Sequence, residues 1–310
     1  KFDGYVNDFD LKGIRFSTTD TDGFADKPTS HNGGISGELD GSVTGLPDSY
    51  AMMVNANVHK LTFSTHGLEK FVKGWAPSVN LDLDKFCKGE RLTFRGRASG
   101  PLNRLHAHGT MHTDFGKADL NVTLRNVIDP NRPLEIGGSA STERLDIGRI
   151  MAGIPVGECD MRTGLNATFA KDSLGIVIDS LYVDGLDVLG YKYSNIAAVG
   201  TFSQDAFDGR IVCSDPNLNF LFQGIFSLSS KTKNALYQFY ANLGYADLHA
   251  LNIDKRGVSK MSLSTQANFT RISGEDIIGN ISIKDVMLED EHGRHDVGDI
   301  EIASHMGDEL

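Results

Sequence analysis

Apolar and polar residues alternate with a period of two along almost the whole chain, the pattern of strands that turn one face away from water. The clearest stretch is residues 218–228. Leu218, Phe220, Phe222, Gly224, Phe226 and Leu228 fall on one face, and Asn219, Leu221, Gln223, Ile225 and Ser227 on the other. Just upstream, Phe207, Gly209, Ile211 and Cys213 alternate with Asp208, Arg210, Val212 and Ser214. Asp215-Pro216-Asn217 lies between the two runs; proline fixes φ and the Asx side chains bond locally, so a hairpin with one apolar face is expected.

The same alternation recurs throughout. Met52, Val54, Ala56 and Val58 share a face, as do Leu92, Phe94, Gly96 and Ala98. Leu120, Val122 and Leu124 follow, then Leu134, Ile136, Gly138 and Ala140. Later come Tyr237, Phe239, Ala241 and Leu243, then Leu263, Ala267 and Phe269, then Ile277, Gly279, Ile281 and Ile283. None of these faces carries a charge. Helical spacing is confined to three short segments, at 67–72, 146–151 and 247–251, each with an apolar pair three residues apart. The pairs Leu68/Phe71, Ile147/Ile150 and Leu248/Leu251 recur after 79 and then 101 residues, a self-similarity that suggests a repeating β architecture.

Roughly 20 strands of about 12–15 residues each, turns included, are expected. A flat open sheet of that size is unstable, because twisted sheets curl or split beyond about ten strands. A closed barrel, a stacked sandwich or propeller, and a long sheet curled into a trough all satisfy the pattern. Glycine is abundant, 34 residues against 8 Pro and 1 Trp, without the strict triplet period of collagen. Small residues among large ones on the apolar faces either leave room beside the sheet or follow its curvature.

Apolar residues make up 40% of the 310 and charged residues 23%, enough for a folded core. The formal charge of −11 argues against nucleic acid as the main partner. No stretch of about 18 apolar residues is present to span a membrane as a helix. The chain opens directly in strand-like alternation at Lys1-Phe2-Asp3-Gly4-Tyr5, and both ends read as cuts in a longer protein. Cys87, Cys159 and Cys213 cannot all pair and form no C-x-x-C, so a disulfide framework is not expected.

Catalytic constellations are not evident, and no enzyme or cofactor is expected. His106, His108 and His112 share one strand face and could in principle chelate zinc, but they lie opposite the apolar residues, in solvent. Asp20-x-Asp22-Gly23 starts like a calcium loop but lacks a closing Glu, since position 31 is His. His292 and His295 read as a polar hairpin loop, and Asp82/Asp84 as outward strand charges. No nucleophile elbow, P-loop or dinucleotide fingerprint occurs. Asn-x-Ser/Thr triplets stand at Asn121, Asn166, Asn268 and Asn280; Asp172-Ser173-Leu174 and Asp179-Ser180-Leu181 resemble the O-glycosylation signal of exported Bacteroidota proteins.

From Gly185 the series Gly190-Tyr191-x-Tyr193-x-Asn195-Ile196, Gly200-x-Phe202, Phe207-x-Gly209, Asp215-Pro216-Asn217-Leu218 and Phe222-x-Gly224 resembles the AsmA-like TamB translocation and assembly proteins of Bacteroidota. Gly37-Glu38-Leu39-Asp40-Gly41-Ser42-Val43-Thr44-Gly45-Leu46-Pro47-Asp48 and Leu145-Asp146-Ile147-Gly148-Arg149 also look like that group. The likeness covers about residues 1–290 and is sharpest over 185–228. It implies an all-β fold: an elongated, curled, antiparallel-rich sheet, or β-taco, forming an open trough with a few short helices. Residues 1–310 would be a middle fragment of one continuous domain, with sub-repeats at 1–75, 76–155, 156–257 and 258–310. The resemblance also implies a periplasmic protein anchored in the inner membrane. Such a protein would meet an Omp85-type outer-membrane barrel through a C-terminal domain absent here. Its roles would be phospholipid transport between membranes and outer-membrane protein assembly.

On that reading the residues lining a lipid groove are Phe94, Leu120, Val122, Ile136, Ile211, Phe220, Phe222, Phe226, Phe239, Phe269 and Ile281. The rival reading is a β-rich adhesion or scaffold module in which the same side chains close on one another. A carbohydrate-active β-helix is a third.

Overall fold

A computed structural model of the chain describes residues 2–3, 7–17, 34–65, 67–68, 70, 91–129, 131–150, 155–170, 173–203, 206–227, 235–273 and 276–304. The protein is all-β and antiparallel, and it divides into two compact units, Lys1–Leu174 and Gly175–Leu310.

Unit 1 contains β1 (Phe2–Asp3), β2 (Asp8–Ser17), β3 (Ser36–Thr44), β4 (Met53–Ser64) and β5 (Arg91–Pro101). It continues with β6 (Arg104–Thr113), β7 (Gly116–Arg125), β8 (Leu134–Glu143), β9 (Leu145–Asp146) and β10 (Val156–Ala170). From β1 to β8 each strand pairs with the next, and β10 lies against both β8 and β9. In unit 2, β11 (Ser173–Val188) pairs with the short β12 (Tyr191–Tyr193) and with β13 (Ile196–Ser203). A plain meander follows through β14 (Ala206–Asp215), β15 (Leu218–Ser227), β16 (Ala235–Asp247), β17 (Lys260–Ser273), β18 (Asp276–Asp290) and β19 (Gly293–Ser304). Among the described residues the strands belong to one sheet that does not close into a barrel.

Nearest-neighbour pairing is what the sequence dictates. Two-residue turns join β5 to β6, β6 to β7, β14 to β15 and β18 to β19, so there each strand folds back on its predecessor, and register is fixed by keeping apolar residues on one face. One-residue bulges interrupt the period. Val58 and Leu61 of β4 pair with Gly96 and Phe94 of β5, so His59 and Lys60 share one position on the polar side. Similar shifts fall between Ile178 and Leu181 and between Leu243 and Ala246.

The three short helical segments all prove to be capped turns at strand ends. Ser64 Oγ accepts the Gly67 N–H at 2.9 Å, Asp146 Oδ1 the Arg149 N–H at 3.3 Å, and Asp247 Oδ1 the Ala250 N–H at 3.0 Å. In each case the last polar residue of a strand acts as N-cap of the turn that follows. At the first segment Thr65, Gly67, Leu68 and Lys70 are helical; at the second the helical turn is Ile147–Ile150; at the third Leu251 N donates to Asp247 O at 3.0 Å.

Full burial falls partly at these turns and strand ends: Thr65, Phe115, Leu145 and Cys159 in unit 1, and Asp215, Ala246, Leu251 and Ser259 in unit 2. Mid-strand positions add Val58, Ala167, Val183, Phe222, Ala267 and Val286, while most other apolar strand residues are half-buried.

Candidate functional site

Register turns the apolar residues of separate strands into transverse rows. In unit 1, Leu105, Leu124, Ile136 and Ala167 face one another across β6, β7, β8 and β10. The next row runs Ala56, Ala98, Ala107, Val122, Gly138 and Leu165, and the one beyond it Val58, Gly96, Gly109, Leu120 and Ala140. Phe94 heads a further row with Leu61, Met111 and Ala118. Four of the eleven groove residues expected from the sequence, Phe94, Leu120, Val122 and Ile136, therefore share one face of unit 1.

Unit 2 repeats the arrangement with larger side chains. One row is Ile176, Phe202, Phe207, Phe226, Tyr237 and Phe269. Beside it lie Ile178, the glycines 200, 209 and 224, Phe239, Ala267, Ile281 and Ile302. A third row is Leu181, Ala198, Ile211, Phe222, Ala241, Thr265, Ile283 and Ile300, and Phe220 pairs with Cys213 and Leu243 in a fourth. The remaining seven expected residues, Ile211, Phe220, Phe222, Phe226, Phe239, Phe269 and Ile281, all lie on this face. No row in either unit contains a charged residue.

The rings touch. Phe222 lies 5.3 Å from Phe239 and 6.1 Å from Phe207 between centroids, and Phe226 meets Tyr237 edge-on at 5.1 Å. Tyr237 stacks on Phe269 at 4.6 Å with planes 13° apart. These are the offset and edge-to-face contacts that aromatic quadrupoles favour. Of the eleven residues only Phe222 is buried, at 8% exposure; the other ten are half-buried. Phe222 is thus held inside the aromatic cluster, where the sequence suggested a freely accessible lining position.

Both units use phenylalanine over glycine. A Cβ added at Gly96 or Gly109 would sit 2.8 or 2.9 Å from Phe94 Cζ, and one at Gly200 or Gly209 would sit 3.0 or 2.6 Å from the Phe207 ring. The Phe-x-Gly spacing therefore has a physical meaning: the ring lies down across a paired glycine two residues on and covers backbone the glycines leave bare.

The signature over residues 190–217 is a structural clasp. Asp215, 7% exposed, accepts hydrogen bonds from Tyr191 Oη at 2.5 Å, Ser194 N and Oγ at 2.8 Å each, and Asn217 N at 2.9 Å. Asn217 Nδ2 also donates to Tyr191 Oη at 3.1 Å. Burial pushes the Asp215 carboxyl up, but the bonds from Tyr191, Asn217 and Ser194 outweigh it and hold the group below the usual carboxylate range. Gly190, at φ 79°, supplies the left-handed turn between β11 and β12.

Other sequence candidates are dispersed. Among the described residues no group of three His, Cys, Asp or Glu side chains could hold a metal ion. His106 Nε2 lies 2.7 Å from Asn121 Oδ1, and His108 and His112 are exposed on the polar face. Asp290 accepts the His292 N–H at 2.8 Å and meets His295 Nε2 at 3.1 Å, closing a hairpin turn. Asp20, Asp22, Asp82, Asp84 and Cys87 lie outside the described residues. Cys159 and Cys213 are buried free thiols; burial, with Asp160 adding, pushes Cys159 up to about 11 and makes it a poor nucleophile.

Sequence reasoning passed over Phe202, Phe207 and Tyr237 as site residues, although all three alternate correctly. It also passed over Ile300 and Ile302, which carry the rows onto β19 and are 39% and 53% exposed. Their signal was the alternation in Asp299-Ile300-Glu301-Ile302-Ala303. Compared with known protein families, curated proteins and solved structures, the chain matches none.

Proposed function

We propose that the apolar faces of the two units bind the acyl chains of phospholipid. In this reading the chain is a segment of a periplasmic, AsmA-like TamB-type bridge between inner and outer membranes. The observation that carries it is the set of uncharged rows in which ten of the eleven proposed lining side chains, all but Phe222, remain half-buried. A closed core buries such residues almost completely.

The energetics suit that role. Each CH₂ withdrawn from water is worth about 0.8 kcal/mol, so a chain of about 16 carbons needs shelter from a cost on the order of 12 kcal/mol. Rows of Leu, Val, Phe and Gly offer dispersion contacts without hydrogen-bonding groups, so a tail gains shelter but no fixed station and can move along the face. Headgroups keep their water at the rim. Transport along such a surface needs no catalytic residue and no cofactor. Contact with an Omp85-type barrel and a part in outer-membrane protein assembly belong to the same proposal and rest on the family resemblance.

One observation favours the rival, a closed adhesion or scaffold module: the Phe222 cluster packs ring on ring. Solvent extraction of the purified chain followed by mass spectrometry separates the two, because a closed core retains no lipid. We expect co-purifying phospholipid, and loss of lipid transfer between vesicles in Val122→Asp and Ile281→Asp with the strand spectrum kept. Lipid-free protein with those variants unfolded would favour the closed module.

A further inference from the structure

The polar face of unit 1 carries a feature that the lipid reading does not use. Residues 91–125 hold six Lys/Arg (Arg91, Arg95, Arg97, Arg104, Lys117, Arg125) against Asp114 and Asp119, a net +4 that leaves −15 on the rest of the chain. All six cations alternate with the apolar residues of β5, β6 and β7 and so project from the opposite face, together with His106, His108 and His112.

Their pairing is unusual for a sheet built for stability alone. Opposite charges across neighbouring strands stabilise a sheet and like charges directly opposite destabilise it. At the margins the rule holds: Lys117 lies 3.7 Å from Glu143 of β8, and Arg125 3.8 Å from Glu135. Across β5, β6 and β7 no Lys or Arg stands directly opposite a carboxylate. Arg97 stands opposite His108, His112 opposite Lys117, and Arg104 opposite Arg125. The face's own carboxylate, Asp119, is already engaged by Thr110 Oγ1 at 2.6 Å and Lys117 Nζ at 3.2 Å. Arg95 and Arg97 are exposed, and neither has an ion-pair partner among the described residues.

We infer that this face of β5–β7 docks on an anionic lipid surface. The charges are spread over three adjacent strands, about 4.8 Å apart, as an array and not around one point, which suits many headgroups better than one small anion. No Phe, Tyr or Trp projects among them, so the large-ring stacking platform of a single-strand nucleic-acid binder is missing. β4 and β8 flank the patch on either side, making it too broad for a duplex groove about 12 Å wide. The inference is independent of the acyl-chain proposal, which concerns the opposite face.

The test is co-sedimentation of the 310-residue chain with vesicles of phosphatidylcholine alone or mixed with phosphatidylglycerol. Any contribution of the apolar face registers with both; the basic face adds only to the anionic ones. We expect preference for the anionic vesicles, lost as salt is raised. Arg95→Gln/Arg97→Gln should reduce partitioning roughly 25-fold, about fivefold per charge, and Arg95→Lys/Arg97→Lys should retain it. Arg210→Gln/Lys255→Gln, which removes the same charge from unit 2, should leave it nearly unchanged. If the first pair alters the circular dichroism, Arg91→Gln/Arg104→Gln carries the same expectation. Equal sedimentation with both vesicle types, equal losses in the unit 1 and unit 2 variants, or tighter binding to a DNA duplex or polyglutamate than to anionic vesicles would overturn the inference.

Discussion

Unit 1 and unit 2 build the same kind of face from different material. In unit 1 the rows are Leu, Ile, Val, Met, Ala and Gly, with Phe94 the aromatic member at their edge. In unit 2 they centre on Phe207, Phe222, Phe226, Tyr237, Phe239 and Phe269, whose rings pack side by side. An aliphatic side chain covers less of its neighbours than an aromatic ring, so an aliphatic sheet surface is less closed over. An aromatic one partly covers itself, which is why Phe222 alone among the proposed lining residues is buried. The contrast teaches that the same alternation can leave a face ready for a ligand or begin to satisfy it internally, depending on side-chain reach.

The sharpest way to break that contrast is truncation at corresponding central positions. Phe222→Ala should cost about 3–4 kcal/mol in urea unfolding, because it opens a cavity among packed rings. Val122→Ala, on the open face, should cost no more than about 1 kcal/mol. Equal losses would mean that the unit 1 face is packed as tightly as the aromatic one.

Next in size is the clasp. Asp215→Ala leaves the Ser194 and Asn217 N–H groups and the Tyr191 hydroxyl short of an acceptor, and should cost about 2–3 kcal/mol. The native carboxyl titrates below its unfolded value. The stabilisation from this group is therefore complete above about pH 4 and lost as the pH falls through the lowered native value. Unfolding midpoints measured from pH 6 downward should fall more steeply at acid pH in the wild type than in Asp215→Ala. Parallel profiles would remove Asp215 from the account.

The Phe-over-Gly device predicts likeness where the rows predict difference. Gly96→Ala and Gly209→Ala should each cost about 1–3 kcal/mol, since the new methyl meets a ring and a backbone carbonyl oxygen, that of His108 in the first and of Val199 in the second. A loss in one unit only would show that the ring lies over glycine for a different reason there.

Much of this was legible in the sequence, for a physical reason. A half-buried antiparallel strand must alternate, so runs such as Phe220 to Phe226 declare both the strand and its inward face. The short segments beginning at Asp146 and Asp247 were legible from an apolar pair three residues apart, whereas the capping by those two side chains emerged with the fold. What stayed hidden is what register creates. The Arg and His side chains of β5 and β6 are separated by apolar residues along the chain, so no charged run announces the patch; only pairing Arg97 with His108 and Arg104 with Arg125 assembles it. The bulge at His59 and Lys60 likewise leaves Val58 and Leu61 on one face at a spacing of three, which a strict period of two misassigns. Tyr191, Asp215 and Asn217 could be recognised as a likeness, but their mutual bonding depends on a hairpin bringing residues 24 apart together.

The account stands or falls on whether acyl chains reach the apolar face and only that face. Photo-crosslinking groups placed in turn at Asn121, Val122, Asn280 and Ile281 test this directly, with phospholipid carrying a labelled acyl chain. We expect adducts at Val122 and Ile281 and almost none at the adjacent Asn121 and Asn280, so that labelling follows the period of the strands. Equal labelling of neighbours, or no adduct at Val122 and Ile281, would contradict it.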